Sequence, residues 1–433
     1  MNPWLCNLLF NNSGGSSLPA TGQTFYASLK TSLVPEVGTG DPTWSRATKA
    51  WGFNELGYLE ELASGCAFFG GARLVRNLLN TTSENFSNAA WVKSNCTVTG
   101  TNTIVCANAT SAQRVSQDSS GFSVTVGQTI SCCYRVKKVT GGVGFVQIYC
   151  DSARVGSAYA NFSLDDGSFV VSGCVGSSTL VATDTYDIRA SFLVIGAGGV
   201  APYLTLINAI SSSRAPTFTG DGVKSFELLR AWSVDVTNYD TSYIPEYVSV
   251  GVLSAPYHGA GADGCKYFAT DWQGAPIPVA NLTRLRKETA GTNALLWSRD
   301  LSNAAWSTKT NITAAKTATG LDGIANSAST LTATSADAII LQSITLASAA
   351  RCASTYVRRK TGTGTISFTQ DGGSTWTDIT SQLNSTTFSR VQITATLANP
   401  SVGFKISTSG DAIDVDCVQN EAGSVATSPI VTT

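Results

Sequence analysis

Along most of the chain apolar and polar residues alternate with a period of two, or form short apolar runs closed by Gly, Ser, Asn or Thr. Phe122-Ser123-Val124-Thr125-Val126 stops at Gly127, Val143 to Tyr149 is a short, mainly apolar run, and Val391-Gln392-Ile393-Thr394-Ala395-Thr396 alternates. Successive side chains of a strand point to opposite faces, so this pattern predicts half-buried strands separated by turns. Beyond about residue 76 nothing sustains helical spacing for three turns, and the strand signals recur roughly every 8 to 15 residues. The expected fold is all-β, built from antiparallel β-sandwich domains of jelly-roll type. One short helix is expected, over Glu55 to Ala63.

The chain also repeats itself, and the repeat sets the domain plan. Ser87-Asn88-Ala89-Ala90-Trp91 recurs as Ser302-Asn303-Ala304-Ala305-Trp306, preceded by Leu78-Leu79 in one copy and Leu295-Leu296 in the other. Tyr134-Arg135-Val136-Lys137-Lys138 is answered by Tyr356-Val357-Arg358-Arg359-Lys360. Gly220-Asp221 with Thr241-Ser242-Tyr243-Ile244 is answered by Gly410-Asp411 with Thr427-Ser428-Pro429-Ile430. These landmarks keep their order while the spacing between them varies, as it does when loops change and strands do not. Two homologous sandwiches are expected, over residues 76–245 and 292–433. An N-terminal arm and docking region precedes them at 1–75, and a structured connector holding His258 and Trp272 separates them at 246–291.

Composition narrows the chemistry. Only 13% of the residues are charged, Gly numbers 40, and 28 basic against 29 acidic residues leave a net charge of -1. That balance supplies no field for nucleic acid or an acidic membrane surface. A single histidine removes multi-histidine metal sites and makes a histidine-based triad a poor expectation. No uninterrupted apolar run is long enough to span a bilayer, and no basic residue precedes the apolar residues of Met1 to Phe10, so neither membrane insertion nor a secretory leader is expected. Eleven cysteines are scattered from Cys6 to Cys417 with no ligand-like clustering and read as small buried hydrophobes in a reducing compartment.

The remaining motifs have structural readings that outweigh the functional ones. Trp91 and Trp306 occupy one position in both copies, which suits a sandwich plug better than a sugar platform, because packing constrains every copy. Thr369-Gln370-Asp371-Gly372-Gly373-Ser374-Thr375-Trp376 resembles an Asp box, in which the carboxylate accepts turn amides, Gly supplies positive φ and Trp packs beneath the hairpin. Asp165-Asp166-Gly167 reads as a type I′ or related turn rather than a calcium loop. His258 sits in a Gly-rich loop without a nucleophile motif and is expected to bond backbone. Arg284-Leu285-Arg286-Lys287 reads as a solvated face or a partner contact. No catalytic, cofactor-binding or metal-binding residue emerges, and no ligand-binding residue is assigned. Tyr257 and Trp272 are the loop aromatics that a lectin reading would use.

Leu78-Leu79, Ser87 to Trp91, Tyr134 to Lys138, Gly220-Asp221 and Thr241 to Pro245 together are similar to the repeated, carbohydrate-binding-like β-sandwich modules of tailed-bacteriophage virion proteins, of the minor structural, head-fibre or tail-fibre kind. The upstream Ser45-Arg46-Ala47-Thr48, Gly71-Ala72-Arg73 and Asn77-Leu78-Leu79 resemble the lead-in of such proteins. The resemblance implies a non-enzymatic structural protein at the virion surface, made in the host bacterial cytoplasm. It would be anchored to capsid, portal or tail proteins through its N-terminal region, as a homo-oligomer with a trimer favoured. The expected alternative is a receptor-binding lectin for a host surface glycan, with a glycoside depolymerase a weaker one. The second copy departs from the pattern at Pro429.

Overall fold

The structure, a computed structural model, describes residues 27–37, 44–117, 121–252, 257–283, 285, 286, 288 and 291–433. Ala50–Phe53 (β1) and Leu59–Leu62 (β2) pair as a hairpin, followed by Arg73–Arg76 (β3). The helix expected over Glu55 to Ala63 is therefore a turn and a strand. Asn54 closes the turn, its Oδ1 accepting from the amides of Leu56 and Tyr58 at 3.1 and 2.9 Å, and Gly57 takes φ +82°. Leu59 and Leu62 are three apart, which mimics a helical face, but as strand residues they point to opposite sides and each is covered.

The first sandwich contains β4 (Trp91–Ser94), β5 (Cys96–Thr99), β6 (Thr103–Cys106), β7 (Thr110–Ser111), β8 (Arg114–Gln117), β9 (Phe122–Val124), β10 (Thr129–Lys138), β11 (Phe145–Tyr149) and β12 (Tyr159–Ser163). It continues with β13 (Phe169–Ser172), β14 (Val175–Ala182), β15 (Thr185–Leu193), β16 (Gly198–Val200), β17 (Tyr203–Ile207), β18 (Phe218–Thr219) and β19 (Ser225–Asp235). One helical turn, α1 (Ser152–Val155), is N-capped by Asp151, whose carboxylate accepts from the Ala153 amide. After β20 (Cys265–Phe268) the second sandwich contains β21 (Thr308–Thr310), β22 (Ile312–Ala318), β23 (Ala328–Ala333), β24 (Ala338–Ser343) and β25 (Ala349–Thr361). It closes with β26 (Ile366–Thr369), β27 (Thr377–Asp378), β28 (Ser389–Leu397), β29 (Ser401–Ile406) and β30 (Ala412–Ala422).

The strand orders show one topology used twice. In the second sandwich the front sheet runs β21-β24-β29-β26-β27 and the back sheet β22-β23-β30-β25-β28. In the first the front sheet runs β4-β8-β17-β11-β12-β13 and the back sheet β5-β6-β19-β10-β15-β14, the same order with one strand added to each sheet on the same side. The added pair, β13 and β14, is a two-strand insertion, one strand to each sheet, between the counterparts of β27 and β28. All ladders between these named strands are antiparallel, so the expected all-β fold of two homologous jelly-roll-like sandwiches is what the chain adopts.

Each sandwich encloses its own core. Trp91, Ile104, Val115, Ile148, Phe162 and Phe226 meet in the first, and Trp306, Leu331, Ile340, Val357, Phe368 and Phe404 in the second. The sequence match between Tyr134 and Tyr356 is one residue out of register. Tyr134 is buried in the first core with its hydroxyl donating to the Pro202 carbonyl at 3.3 Å, whereas Tyr356 lies outside the second core, edge-on to Phe53 at 5.8 Å. Val136 and Val357 are the true counterparts, and a slip of one position exchanges the faces of a strand.

The segments flanking the first sandwich share a further core. Leu33, Leu62, Phe69 and Leu74 pack with Ala260, Cys265, Tyr267 and Leu282, and β3 pairs with β20. Arg73 is buried there, bonded to Glu246 and to the Tyr243 hydroxyl, with its guanidinium 4.8 Å from the Phe268 ring centre. The β1–β2 hairpin reaches the second sandwich, where the Leu59 amide donates to the Leu321 carbonyl at 2.9 Å and Asn238 Nδ2 donates to the Asp322 carbonyl, also at 2.9 Å.

Acidic groups crowd this junction. Burial first, and then Glu55, push the Glu60 carboxyl well above the ordinary carboxylate range, while Arg76 opposes. Burial likewise raises Glu55, against the bond it accepts from the Tyr239 hydroxyl, and raises Asp235. A carboxyl whose folded-state pKa is raised favours folding while it is protonated, below the ordinary value of about 4.3, and that contribution is lost as pH climbs through the raised value. Glu60→Gln is therefore expected to raise the melting temperature by about 2–4 °C at pH 7.5 and to leave it nearly unchanged at pH 4. Equal shifts at both pH values in a calorimetric scan would refute the linkage.

Candidate functional site

The repeated motifs are built into the scaffold. Asn85 Oδ1 accepts from the Ser87 amide and hydroxyl, and Asn88 Oδ1 from the Ala90 amide. Asp300 and Asn303 do the same for Ser302 and Ala305. These successive Asx turns aim the tryptophan inward. Trp91 Nε1 donates to the Thr82 carbonyl at 2.8 Å and Trp306 Nε1 to the Trp297 carbonyl at 3.2 Å, and both rings are fully buried. They are plugs, as their shared position implied.

A second duplicated device lies just upstream. Asn77 Nδ2 donates to the Ala231 and Val248 carbonyls while its Oδ1 accepts from the amides of Leu79 and Ser233. Asn293 repeats this with the Val418 and Ile430 carbonyls and the amides of Leu295 and Asn420. Leu79 thus corresponds to Leu295, one position off the match between the leucine pairs. Each asparagine ties together the entry to its sandwich, the last strand and the segment that leaves it. An arginine on the penultimate back-sheet strand grips that exit segment: Arg189 donates to the Thr241 and Tyr243 carbonyls, and Arg390 to the Thr427 carbonyl. In both modules the chain's own exit therefore lies across the back sheet, which leaves the front sheet as the candidate ligand face.

On the first module that face is strapped. Gln147 and Asn161 project from β11 and β12 and are fully buried beneath the loop after β17. Gln147 Nε2 donates to the Ser213 carbonyl, Asn161 Nδ2 to the Ile210 and Ser212 carbonyls, and the Ala215 amide donates to Gln147 Oε1. Beside the strap Tyr149 and Tyr203 stack at 4.8 Å, capped by the guanidinium groups of Arg214 and Arg114 at 4.8 and 4.7 Å. The chain's own arginines occupy the outer aromatic faces of this ladder.

On the second module no such strap crosses the front face among the described residues, and the Asp-box hairpin supplies its aromatic. Asp371 Oδ1 accepts from the Thr375 amide at 2.9 Å and from the Thr369 hydroxyl at 2.8 Å, and Gly372 and Gly373 take φ +75° and +93°. Desolvation pulls the Asp371 carboxyl up, but these bonds more than offset it and the group lies below its ordinary range. The half-exposed Trp376 ring lies over Gly373, so close that a Cβ there would come within 2.9 Å of it. Lys405 stands on β29 between Ile339 and Ser367 with its Nζ 5.5 Å from the Trp376 ring centre and 3.8 Å from Asp337 Oδ1. The hydroxyls of Ser343 and Ser401 pair at 2.8 Å on the same sheet. An aromatic surface, an ammonium, an exposed carboxylate and a pair of hydroxyls thus share one face. The sequence pointed to Trp376 through its box but carried no signal for Lys405 or Asp337, which meet it only through the ladder.

Other residues singled out in the sequence lie elsewhere. His258, at φ +50°, places Nε2 3.0 Å from the Ser249 hydroxyl, and burial, then Lys266, lower its pKa. Trp272 is half-buried, edge-on to Tyr243 at 6.3 Å, so it is a packing residue of the connector. The Tyr257 side chain, Arg284 and Lys287 lie outside the described residues, and Arg286 pairs with Glu288 at 2.7 Å. Asp165 and Asp166 sit in a longer turn than type I′, with Gly167 alone at positive φ, and the Ser168 amide and the hydroxyls of Ser163 and Ser168 hold the Asp166 carboxyl down at about 2. All ten described cysteines are free thiols, and among the described residues no group of His, Cys, Asp and Glu is placed to hold a metal.

No protein-family model and no curated protein matches the chain. Among solved structures, it is similar to the N-terminal CBM22-1–CBM22-2 tandem domain of Paenibacillus barcinonensis Xyn10C, with 11% identity, 84% of this chain and 100% of that one covered, and a TM-score of 0.25. It is also similar to a carbohydrate binding module of Cellvibrio mixtus lichenase 5A solved with cellotriose, with 16% identity, 31% of this chain and 98% of that one covered, and a TM-score of 0.20. These likenesses assign no ligand or activity to this chain, whose sandwich fold stands on its own strand pairing.

Proposed function

We propose that the chain is a non-enzymatic structural protein of a bacteriophage particle, docked through its N-terminal region and displaying two β-sandwich modules, the second of which contacts a host surface polysaccharide through the face around Trp376. The observation that carries this reading is the division of labour between repeated and unrepeated residues. Trp91 and Trp306, Asn77 and Asn293, and Arg189 and Arg390 are spent on holding a sandwich together. Lys405 and Asp337 have no such structural role, and the face they form with Trp376 has no counterpart in the strapped first module. An indole can stack on the C–H face of a pyranose while a neighbouring ammonium and carboxylate bond its hydroxyls.

The test is titration calorimetry of the full chain against purified host surface polysaccharide, together with antibody labelling of particles in the electron microscope. Trp376→Ala is expected to weaken polysaccharide binding at least about tenfold while the protein stays folded at the assay temperature, and the label is expected on the particle surface. Binding that survives the substitution rejects this face as the contact. Unlabelled particles reject the structural role, and release of reducing ends from the polysaccharide rejects the non-enzymatic one.

A further inference from the structure

We infer that Arg114 and Arg214, set around the stacked tyrosines of the first module, form a carboxylate-binding site that takes an acidic polysaccharide, one whose repeat contains a uronate. The site lies on the other module from Trp376 and stands whether or not that face binds. The ladder lays out two neighbouring rows on the front sheet. Ser116, Tyr203, Tyr149, Tyr159 and Ser172 pair in turn across β8, β17, β11, β12 and β13, so five hydroxyl side chains follow one another across the sheet. In the next row Thr205 stands between Arg114 and Gln147, and Asn161 follows. The strap is bonded to Gln147 and Asn161 of this second row, and Arg214 leaves it to lie against Tyr149 of the first.

Both guanidinium groups are held in place, and neither is neutralised. Arg114 NH1 donates to the Tyr149 hydroxyl at 2.8 Å and Arg214 NH2 to the Cys150 carbonyl. Among the described residues neither has a carboxylate partner, both Nε atoms are buried without an acceptor, and the buried Thr205 hydroxyl beside Arg114 is also unpartnered. Asp151, the nearest acid in sequence to Cys150, is occupied in capping α1. Other arginines of this chain that lie on aromatic rings are matched with an acid. Arg73 on Phe268 pairs with Glu246, Arg230 on Tyr247 with Glu84, and Arg358 on Phe388 with Asp414. Arg390 on Tyr356 has no carboxylate but clamps the exit segment of its module. Two unneutralised guanidinium groups about one tyrosine pair occur only here among the described residues. A planar fork already fixed and partly stripped of water needs little further ordering to receive a carboxylate.

The surroundings select a sugar polymer. Tyr149 and Tyr203 cover each other, and the arginines take their outer faces, so no base or aromatic side chain can stack there. Guanidinium edges and phenol rims remain, hydrogen-bonding groups without a stacking platform, which complement a chain of hydroxyls and carboxylates. From β8 to β13 the row runs about 19 Å, long enough to follow an extended polymer.

The experiment is titration calorimetry of the full chain with oligogalacturonate, a neutral dextran oligosaccharide of similar mass, and oligoglutamate. Oligogalacturonate alone is expected to bind saturably, and more weakly at high salt. Arg114→Gln/Arg214→Gln is expected to lower that affinity at least about tenfold, whereas Lys316→Gln, at an exposed position of β22, leaves it unchanged. Should the double variant fail to fold, Ser213→Asp decides. It sets a carboxylate at an exposed position next to Arg214 while the residue 213 carbonyl keeps its bond from Gln147, and it is expected to weaken binding at least about threefold. No saturable binding of oligogalacturonate, equal binding of dextran, an affinity indifferent to these substitutions, or a loss as large with Lys316→Gln overturns the site. Oligoglutamate binding as tightly as oligogalacturonate overturns the polysaccharide as its ligand.

Discussion

Asn293→Ala is expected to destabilise the second module by about 4 kcal/mol, although its side chain touches no ligand face. The amide makes four bonds inside the protein, and its removal leaves the Val418 and Ile430 carbonyls and the Leu295 and Asn420 amides to find other partners in a buried place. Each orphaned group costs about 1–3 kcal/mol, reduced where water or a small backbone shift repairs the bond. Asn293→Asp separates the two halves of the device. It keeps an acceptor for the two amides but turns a carboxylate toward two carbonyls, so it should be at least as damaging as alanine at neutral pH and less damaging in acid. Urea unfolding of the two variants measures both expectations, and a loss under 1 kcal/mol for alanine would mean that the exit segment does not need this clamp. Asn77→Ala should act in the same way on the first module alone.

Asp416→Leu is expected to cost about 3–5 kcal/mol, and most of that should be recovered when Arg299 is replaced as well. Asp416 is fully buried and receives Arg299 Nε and NH2 at 2.8 and 2.9 Å, while Arg299 NH1 reaches Asp322 Oδ2 at 2.6 Å. Burial works against the guanidinium charge, and Asp416 foremost among its partners restores it, with the net effect of raising the Arg299 pKa. Removing Asp416 leaves the guanidinium with Asp322 as its one remaining carboxylate in a site with little water, whereas Arg299→Met/Asp416→Leu removes the buried charge pair and leaves Asp322 without its arginine. Asp416 Oδ2 also accepts the Leu321 amide at 2.8 Å, and the Leu321 carbonyl is what the β1–β2 hairpin bonds. The single variant should therefore loosen the junction as well as the module, seen as faster proteolysis near residues 320–325. A double-mutant cycle with a coupling under 0.5 kcal/mol would show the pair to be independent.

The alternation of apolar residues and the repeat of Ser-Asn-Ala-Ala-Trp determined the all-β class, the duplication and the inward role of Trp91 and Trp306. Each of these depends on neighbours within a few residues: strand parity, Asx turns that close over two positions, and a tryptophan that those turns aim. The Asp box was legible for the same reason, since its bonds run from Asp371 to residues two and four away. Tertiary structure alone decided the rest. Asn77 and Asn293 reach partners more than 120 residues distant, and Lys405 meets Trp376 only because β29 pairs with β26. The Leu59 and Leu62 spacing suited a helix until two different surfaces were available to bury opposite faces of a strand. The mismatch between Tyr134 and Tyr356 shows the limit most directly. Strand periodicity states that neighbours face opposite ways, but which of them faces inward is settled by pairing with β19 and β30, a long-range contact that no local pattern encodes.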